Sequence, residues 1–250
     1  MHPINKFLSW FGLQLQPSGR APRVPEDFMA NYNANLASLM ENNSRGFDVF
    51  SELYYEAGVH PTNYIDFECG FAAYHMNRLN PNKTLDIGSY RHFILGMLSH
   101  FQVTTVDVRN RAPISRNEVI VTCDAKKLTL PANEFDVVVS LCALEHFGLG
   151  RYGDEYDLDA DKKAFEEIIR VLKPNGCLIF TTMITRAKPS IVFNGSRIYN
   201  YEMIRKFCTN LTCEEDKFYS NKIEDFCSFE KVTKEPKTWD IYCGCWKKVR

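Results

Sequence analysis

Acidic side chains recur at the ends of three apolar segments of the sequence. Asp86 and Gly88 end the stretch TLDIG, Asp107 lies near the end of VTTVDV, and Asp124 ends EVIVTCD. A carboxylate after the second segment can accept hydrogen bonds from both hydroxyls of a ribose, and one after the third can accept from an exocyclic amine. Taken singly, each acid is more easily explained as a turn residue. Their regular recurrence favours an adenosine-containing cofactor whose ribose carries no phosphate.

The first of these turns, DIGSYRHF, discriminates between nucleotide cofactors. A pyrophosphate needs closely spaced glycines, as in G-x-G-x-x-G, so that the backbone can approach it. This turn has one glycine, Gly88, which argues against NAD and favours S-adenosylmethionine, a cofactor without phosphates. We expect the side chains of Ser89 and Arg91 to contact that cofactor; the alternative is that Arg91 faces solvent.

A candidate base follows the fourth apolar segment, FDVVVSL. His146 has an unperturbed pKa close to neutral, so it suits the removal of a proton from an oxygen nucleophile during methyl transfer. Glu145 is predicted to orient His146, or to bind the cofactor or a substrate hydroxyl. The alternative is that Glu145 caps a helix and that His146 is a hydrogen-bonded structural residue.

A glycine-rich loop at 148–161 is predicted to lie over the pocket. It contains a G-x-G-x-x-G match that follows no strand directly, so it does not indicate a dinucleotide site. Arg151, Tyr152 and Asp154 are candidate substrate contacts, because an aromatic ring and a carboxylate suit a sugar and a guanidinium suits a phosphate. Arg197 is a further candidate to close over the substrate. The acidic residues of the loop are better explained as a solvated surface than as a metal site, so no metal is predicted.

The elements that would position these residues alternate between strand and helix. An alternating pattern predicts a doubly wound α/β fold with a mostly parallel sheet, whose ligands bind at the carboxyl ends of the strands. Residues 217–237 are irregular by pattern. The predicted strands are 84–88, 103–108, 118–124, 135–141, 177–184 and 238–249, and the predicted helices within this region are 90–101, 159–173 and 199–208.

Residues 83–185 resemble the core of the class I S-adenosylmethionine-dependent methyltransferases. The motifs that carry the resemblance are TLDIGS, VTTVDV, CDAKKLTLPANEFDVVVSLCALEHF and RVLKPNG. The run LCALEHFGLGRYGD is also similar to a subgroup of unknown function associated with polysaccharide and glycan-modification loci. The resemblance implies a Rossmann-like sheet of seven strands with the last one antiparallel. It also implies cofactor contacts at Asp86, Gly88, Asp107, Asp124 and Ala125, and we expect Leu141, which ends the fourth apolar segment, to contribute as well.

The rest of the chain is predicted to be an extension of this domain. Residues 1–82 are interpreted as a helical extension and linker, with helices across 28–58 and near 68–79, and residues 83–250 as the methyltransferase domain. No stretch is apolar enough to span a membrane. Residues 7–13 are interpreted as part of a short helix that packs on the domain or on a partner, and peripheral membrane contact through them is the alternative. Nine scattered cysteines without C-x-x-C spacing favour a reducing cytoplasm.

The sequence therefore favours a methyltransferase that modifies an oxygen of a sugar or glycan-related small molecule. A formal net charge of −1 gives no basic surplus, so no nucleic-acid partner is expected. The main alternative is a non-catalytic protein of the same fold that acts as a partner or scaffold. A nicotinamide-dependent dehydrogenase is disfavoured by the first turn, and the oligomeric state is left open.

Overall fold

The computed structural model describes residues 24–55 and 62–249, which fall into two compact units, Met1–His60 and Pro61–Arg250. The described part of the first unit contains helix α1 (Glu26–Glu41) followed by a segment without regular structure. The helix ends where the backbone and side-chain amides of Asn42 both donate to the carbonyl of Ser38. The helix predicted across 28–58 is therefore shorter than expected. The possible membrane contact through residues 7–13 lies outside the described residues.

The second unit is built on one eight-stranded sheet with helices on both faces. Its helices are α2 (Tyr64–Leu79), α3 (Arg91–Met97), α4 (Ala160–Val171) and α5 (Tyr201–Phe207). Its strands are β1 (Thr84–Ile87), β2 (Val103–Asp107), β3 (Glu118–Thr122), β4 (Phe135–Leu141), β5 (Leu172–Ile184), β6 (Ser190–Val192), β7 (Ser196–Ile198), β8 (Leu211–Ser220), β9 (Asp225–Cys227) and β10 (Asp240–Lys248). Strands β6 and β7 form a separate hairpin.

The main sheet has the strand order β3-β2-β1-β4-β5-β10-β8-β9. Strands β1 to β5 are parallel, and β10 runs antiparallel between β5 and β8. The order reverses between β1 and β4, because the chain leaves β1 towards β2 and β3 and returns to β4 on the other side. In open α/β sheets ligands bind at the carboxyl ends of strands beside such a reversal. The predicted fold class is confirmed, with one strand more than the expected seven.

The core consists of two apolar layers, one on each face of the sheet. Leu85, Val138 and Leu178 face α4 and α5, whose buried side chains include Phe165 and Ile204. The residues that alternate with them face the opposite layer, which contains α2 and α3. Because both faces are covered, the central strands are apolar almost throughout, as expected for parallel strands.

Helix α2 belongs to the larger unit. Asn63 caps it by accepting from the Ile65 N–H at 2.8 Å, while Asp66 accepts from the Asn63 N–H at 2.8 Å, which completes a capping box. Phe71 and Met76 are buried in the apolar layer on this side of the sheet. The compact units consequently divide at residues 60 and 61, and the segment 62–82, expected to belong to the extension, packs with the sheet.

None of the helices within the described residues is both long and apolar enough to cross a membrane.

Strand β10 depends on a glycine at its centre. A Cβ added to Gly244 would lie 2.4 Å from the Tyr242 hydroxyl and 2.7 Å from the Trp246 indole nitrogen, which bond to each other across the glycine. We predict that Gly244→Ala lowers the free energy of unfolding by about 1–3 kcal/mol, measured in urea, because it overpacks this site. Gly70→Ala is the control: no atom lies within 4 Å of its Cβ, and alanine favours helix α2 by about 0.5–1 kcal/mol.

Candidate functional site

A pocket opens at the carboxyl ends of β1, β2, β3 and β4. It contains about 650 Å³ of empty space, a figure that includes the open solvent at its mouth. Its wall combines apolar side chains with a few polar groups. The lining residues are Ile87, Gly88, Val106, Asp107, Val108, Arg109, Cys123, Asp124, Ala125, Lys126, Ala143, Phe147, Gly148, Tyr152 and Asp154.

The turn after β1 is held by hydrogen bonds to its own residues and to β4. Gly88 adopts a left-handed backbone (φ +71°), and a Cβ there would lie 2.9 Å from the Cβ of Ala143. The Ser89 amide donates to Asp86 at 3.1 Å, and the Ser89 hydroxyl accepts from the Leu141 N–H at 3.1 Å. Burial raises the pKa of Asp86 to about 6. Gly88 therefore lines the pocket, while Asp86, Ser89 and Leu141 lie behind its wall and support it.

Asp107 is the acid at the end of β2, and it lies in the pocket wall. Its carboxylate accepts from the backbone and guanidinium of Arg109 at 2.9–3.0 Å and from Arg111 at 2.7 Å. Burial raises the pKa of Asp107, but these bonds and positive charges outweigh it, so that the net pKa lies below the usual range. Asp107 is thus an ionised acceptor at neutral pH.

Asp124 and Ala125 also line this pocket. The Asp124 carboxylate accepts from the Lys126 amide at 2.9 Å and so caps a short 3₁₀ turn, Ala125–Lys127. The side chain is half-exposed, which leaves its oxygens accessible from the pocket mouth. Asp124 is therefore both the cap of this turn and a residue of the pocket lining.

Arg91 is directed away from the pocket. Its guanidinium forms a two-armed ion pair with Glu118, including an Nη2–Oε2 distance of 2.9 Å, and the Glu118 side chain is fully buried. Glu118 also accepts from the Ile114 amide at 3.0 Å. The geometry therefore assigns Arg91 to an internal ion pair, and neither its expected contact with the cofactor nor the solvent-facing alternative matches this placement.

Hydrogen bonds hold together the two ends of the loop that follows β4. Asp157 N–H donates to the carbonyl of Gly148 at 2.9 Å, and Gly148 (φ +69°) leaves no room for a Cβ, which would lie 2.3 Å from the Asp157 carbonyl oxygen. The buried guanidinium of Arg197 joins both ends of the loop, donating to the carbonyls of Phe147 at 2.6 Å and Leu158 at 3.0 Å. Arg197 consequently positions the loop and lies outside the pocket lining.

The tip of this loop reaches the pocket. Tyr152 and Asp154 are in its lining, and the Asp154 carboxylate accepts from the Tyr152 amide at 3.0 Å. The Tyr152 ring also receives the guanidinium of Arg109, 5.0 Å from its centroid, and that of Arg151, 5.5 Å away. The structure thus brings two of the predicted substrate residues to the pocket wall, with Arg151 exposed beside them.

His146 stands beside the loop, at the end of a 3₁₀ turn, Leu144–His146. Its Nδ1 lies 2.6 Å from the carbonyl oxygen of Gly195, which can only accept, so Nδ1 carries the proton and Nε2 is the acceptor nitrogen. Burial lowers the pKa of His146, and the charges of Arg151 and Arg197 lower it further against the opposing Gly195 carbonyl. The imidazole is therefore neutral at neutral pH, as a general base must be.

Glu145 is separated from its expected partner. Its side chain is fully buried and accepts from the Thr182 hydroxyl at 3.1 Å, while Nδ1 of His146 donates to the carbonyl of Gly195. Burial is the main cause that raises the pKa of Glu145 to about 8. The structure therefore shows no contact through which Glu145 orients His146.

Sequence reasoning missed three residues near the site. Arg109 and Arg111 bind Asp107, and Glu68 of α2 is fully buried beside β5. The two arginines follow Asp107 within four residues, a spacing that could have suggested the ion pairs. An acid inside the apolar stretch FECGF was the available signal for Glu68.

Residues 85–180 match the family described as "Methyltransferase domain". The matched segment covers 96 of the 250 residues of the chain. It spans β1 to the first part of β5 and contains all the residues that line the pocket. The match and the fold confirm the predicted enzyme class, a class I methyltransferase with S-adenosylmethionine as its cofactor. No curated protein matches the chain.

Solved structures of the same fold include two methyltransferases and a cyclase. The chain resembles the 1,6-didemethyltoxoflavin-N1-methyltransferase of Burkholderia thailandensis, with 14% sequence identity and a TM-score of 0.54; the match covers 94% of this chain and 99% of the other. It resembles the [4+2]-cyclase SpnF with 15% identity, 88% and 95% coverage, and a TM-score of 0.55. It resembles phosphoethanolamine N-methyltransferase 2 of Haemonchus contortus with 15% identity, 72% and 52% coverage, and a TM-score of 0.52. At these identities the likeness shows the fold alone.

The placement of Arg91 gives a test of its role. We predict that Arg91→Met lowers the free energy of unfolding by about 3 kcal/mol in urea, because it leaves the buried Glu118 carboxylate uncompensated. The Kd for S-adenosylhomocysteine, measured by calorimetry, should stay within twofold. His92→Ala, at the exposed neighbouring position, is the control and should change neither quantity. A large rise in Kd for Arg91→Met would place the guanidinium on the cofactor after all.

Proposed function

We propose that this methyltransferase transfers the methyl group of S-adenosylmethionine to a hydroxyl group of a sugar or glycan-related small molecule. The observation that carries the proposal is the pocket in which Asp107 and Asp124 lie together at the carboxyl ends of β2 and β3. The resemblance of LCALEHFGLGRYGD to proteins of glycan-modification loci supports the substrate class.

The residues of this pocket fit an adenosine that bears a methionine. Asp107 is an ionised acceptor suited to the two ribose hydroxyls, and Asp124 can accept from the adenine amine. Val108, Ala125 and Phe147 supply apolar surface for the base. The bound cofactor supplies an electrophilic methyl group on its sulfonium. A bound ribose would take the place of Arg109 as a hydrogen-bond partner of Asp107.

The proposed base is His146, aided by the loop that borders the pocket. Its Nδ1 is committed to Gly195, so Nε2 is the nitrogen that takes the proton from an acceptor hydroxyl. Tyr152 and Asp154 then offer a ring face and a carboxylate to the acceptor. Holding the hydroxyl in line with the methyl group is the larger part of the rate enhancement in such a transfer.

Two alternative functions lead to different predictions: methylation of an amine, and a non-catalytic role. The named similar methyltransferases are N-methyltransferases, so an amine is the other acceptor class. A non-catalytic partner or scaffold is favoured by the single-glycine turn and by the occupied Asp107 carboxylate, and it predicts no binding of S-adenosylmethionine at millimolar concentration.

The cofactor site is tested at Asp107. We predict that Asp107→Ala raises the Kd for S-adenosylhomocysteine at least about a hundredfold by calorimetry, because two charge-assisted hydrogen bonds are lost. Asp225→Ala, an exposed acid in strand β9, should leave Kd unchanged. Equal affinities of the wild type and Asp107→Ala would contradict the proposed site.

The base is tested at His146. We predict that His146→Ala lowers kcat about a hundredfold or more and leaves the Kd for S-adenosylhomocysteine within threefold. In the wild type the neutral imidazole is the active form and its pKa is lowered, so kcat should fall only as the pH drops below about 6.5. That acid limb should disappear in His146→Ala. An unchanged kcat would mean that another group accepts the proton.

A further inference from the structure

The hairpin formed by β6 and β7 carries exposed apolar side chains at its end. Ile191 and Val192 end β6, and Phe193 lies in the turn at 193–195 that leads to β7. Their side chains are 47%, 51% and 83% exposed. We call these three residues the apolar tip. The proposed function uses none of them, and contiguous exposed apolar surface is typical of a site of interaction.

The shape of the apolar tip indicates what can cover it. Successive residues of a strand point to opposite faces, so Ile191 and Val192 expose apolar surface on both faces of the hairpin, and Phe193 exposes it at the end. One face of another protein can cover a flat patch. A projecting end that is apolar on both faces is covered completely only by a medium that surrounds it, such as the boundary between the headgroups and acyl chains of a bilayer.

The loop after β4 extends this surface. Arg197 of β7 pairs with Ile191 across the hairpin and donates to the carbonyl of Leu158 at 3.0 Å, so Leu158 is a neighbour of the hairpin. Leu158 is exposed, and so is Tyr156 two residues earlier. Tyrosine is enriched where a membrane meets water, because its ring is apolar and its hydroxyl is polar. The surroundings of the apolar tip therefore also suit a bilayer.

The charges near the apolar tip are tolerated by lipid headgroups. From residue 185 to residue 201 the chain has three basic residues and no acidic one, and Lys188 is exposed two residues before β6. The neighbouring loop carries exposed acids, Glu155 and Asp159. Because charges of both signs lie nearby, we expect apolar contact to supply most of the affinity, so that a bilayer of neutral lipid is sufficient.

The apolar tip is tied to the candidate site. Gly195, in the turn of the hairpin, accepts from Nδ1 of His146 at 2.6 Å. Arg197 also donates to the carbonyl of Phe147, which lines the pocket. A surface that receives the apolar tip would therefore lie on the His146 side of the domain.

We propose that the apolar tip docks this protein on the surface of a lipid bilayer by inserting between the headgroups and the first part of the acyl chains. This contact is peripheral. It places the group proposed as base, and the loop beside it, at the membrane surface. The docking rests on exposure and on the geometry of the hairpin, and it goes beyond the proposed reaction.

The docking is tested by sedimentation of the full chain with phosphatidylcholine vesicles. We expect the wild type to bind and Phe193→Ser to lower the partition coefficient about tenfold or more, because a large apolar side chain is no longer buried in lipid. Phe50→Ser is the matched control: Phe50 is also 83% exposed but lies in the other compact unit, and its replacement should leave the partition coefficient within twofold. Both variants should keep the urea midpoint of the wild type, because both positions are exposed.

Insertion has a readout of its own. The fluorescence added by Phe193→Trp should be quenched by brominated phosphatidylcholine, and that added by Phe50→Trp should not. The docking is overturned if the wild type does not bind vesicles, if Phe193→Ser binds as well as the wild type, if Phe50→Ser loses as much affinity, or if Phe193→Trp is not quenched. A wild-type dimer that ignores vesicles and that Phe193→Ser converts to a monomer would assign the apolar tip to a second copy of the chain. None of these results depends on whether S-adenosylmethionine binds, so failure of the docking and failure of the proposed function are distinguishable.

Discussion

The junction between β1 and β4 is the constraint on which the arrangement of the pocket depends. At this point the strand order reverses, and the two neighbouring strands are tied by side chains as well as by the sheet. The Ser140 hydroxyl donates to the carbonyl of Ile87 at 2.9 Å, and the Ser89 hydroxyl accepts from Leu141. Gly88 can then approach Ala143 without a Cβ in the way. These contacts fix the floor of the pocket before any ligand is bound.

The sequence was sufficient to predict the features that depend on interactions within a few residues. The strand ends and the acids Asp107 and Asp124 are encoded within a few residues, so their positions at one edge of the sheet followed from the parallel topology. Strand β8 (Leu211–Ser220) was not predicted, because the run LTCEEDKFYS places three consecutive acids in a strand with no alternation. This strand is stabilised by its antiparallel pairing with β10, which the local sequence does not show.

The roles of individual site residues were harder to predict, because long-range partners decide them. Arg91 meets Glu118, and Arg197 meets carbonyls about 40 and 50 positions earlier in the chain. Both guanidiniums were expected to bind ligands, which is the ordinary expectation for arginine near a pocket. Nothing in the spacing of the sequence shows that a distant backbone or carboxylate uses those donors. Glu145 was expected to orient His146, but its hydrogen-bond partner is Thr182.

The closed base of the loop after β4 has a consequence for the rate at which molecules enter and leave. Gly148 and Asp157 are bonded, and Arg197 holds both flanks, so the span between them is a short closed ring anchored to β7. Such a ring moves as a small flap at its tip, around Tyr152, without displacing the rest of the domain. Flap motions of this size occur in nanoseconds to microseconds, which is faster than the turnover of typical enzymes. Exchange through this mouth would therefore keep pace with the chemical step, and substrate selection would fall to the groups deeper inside.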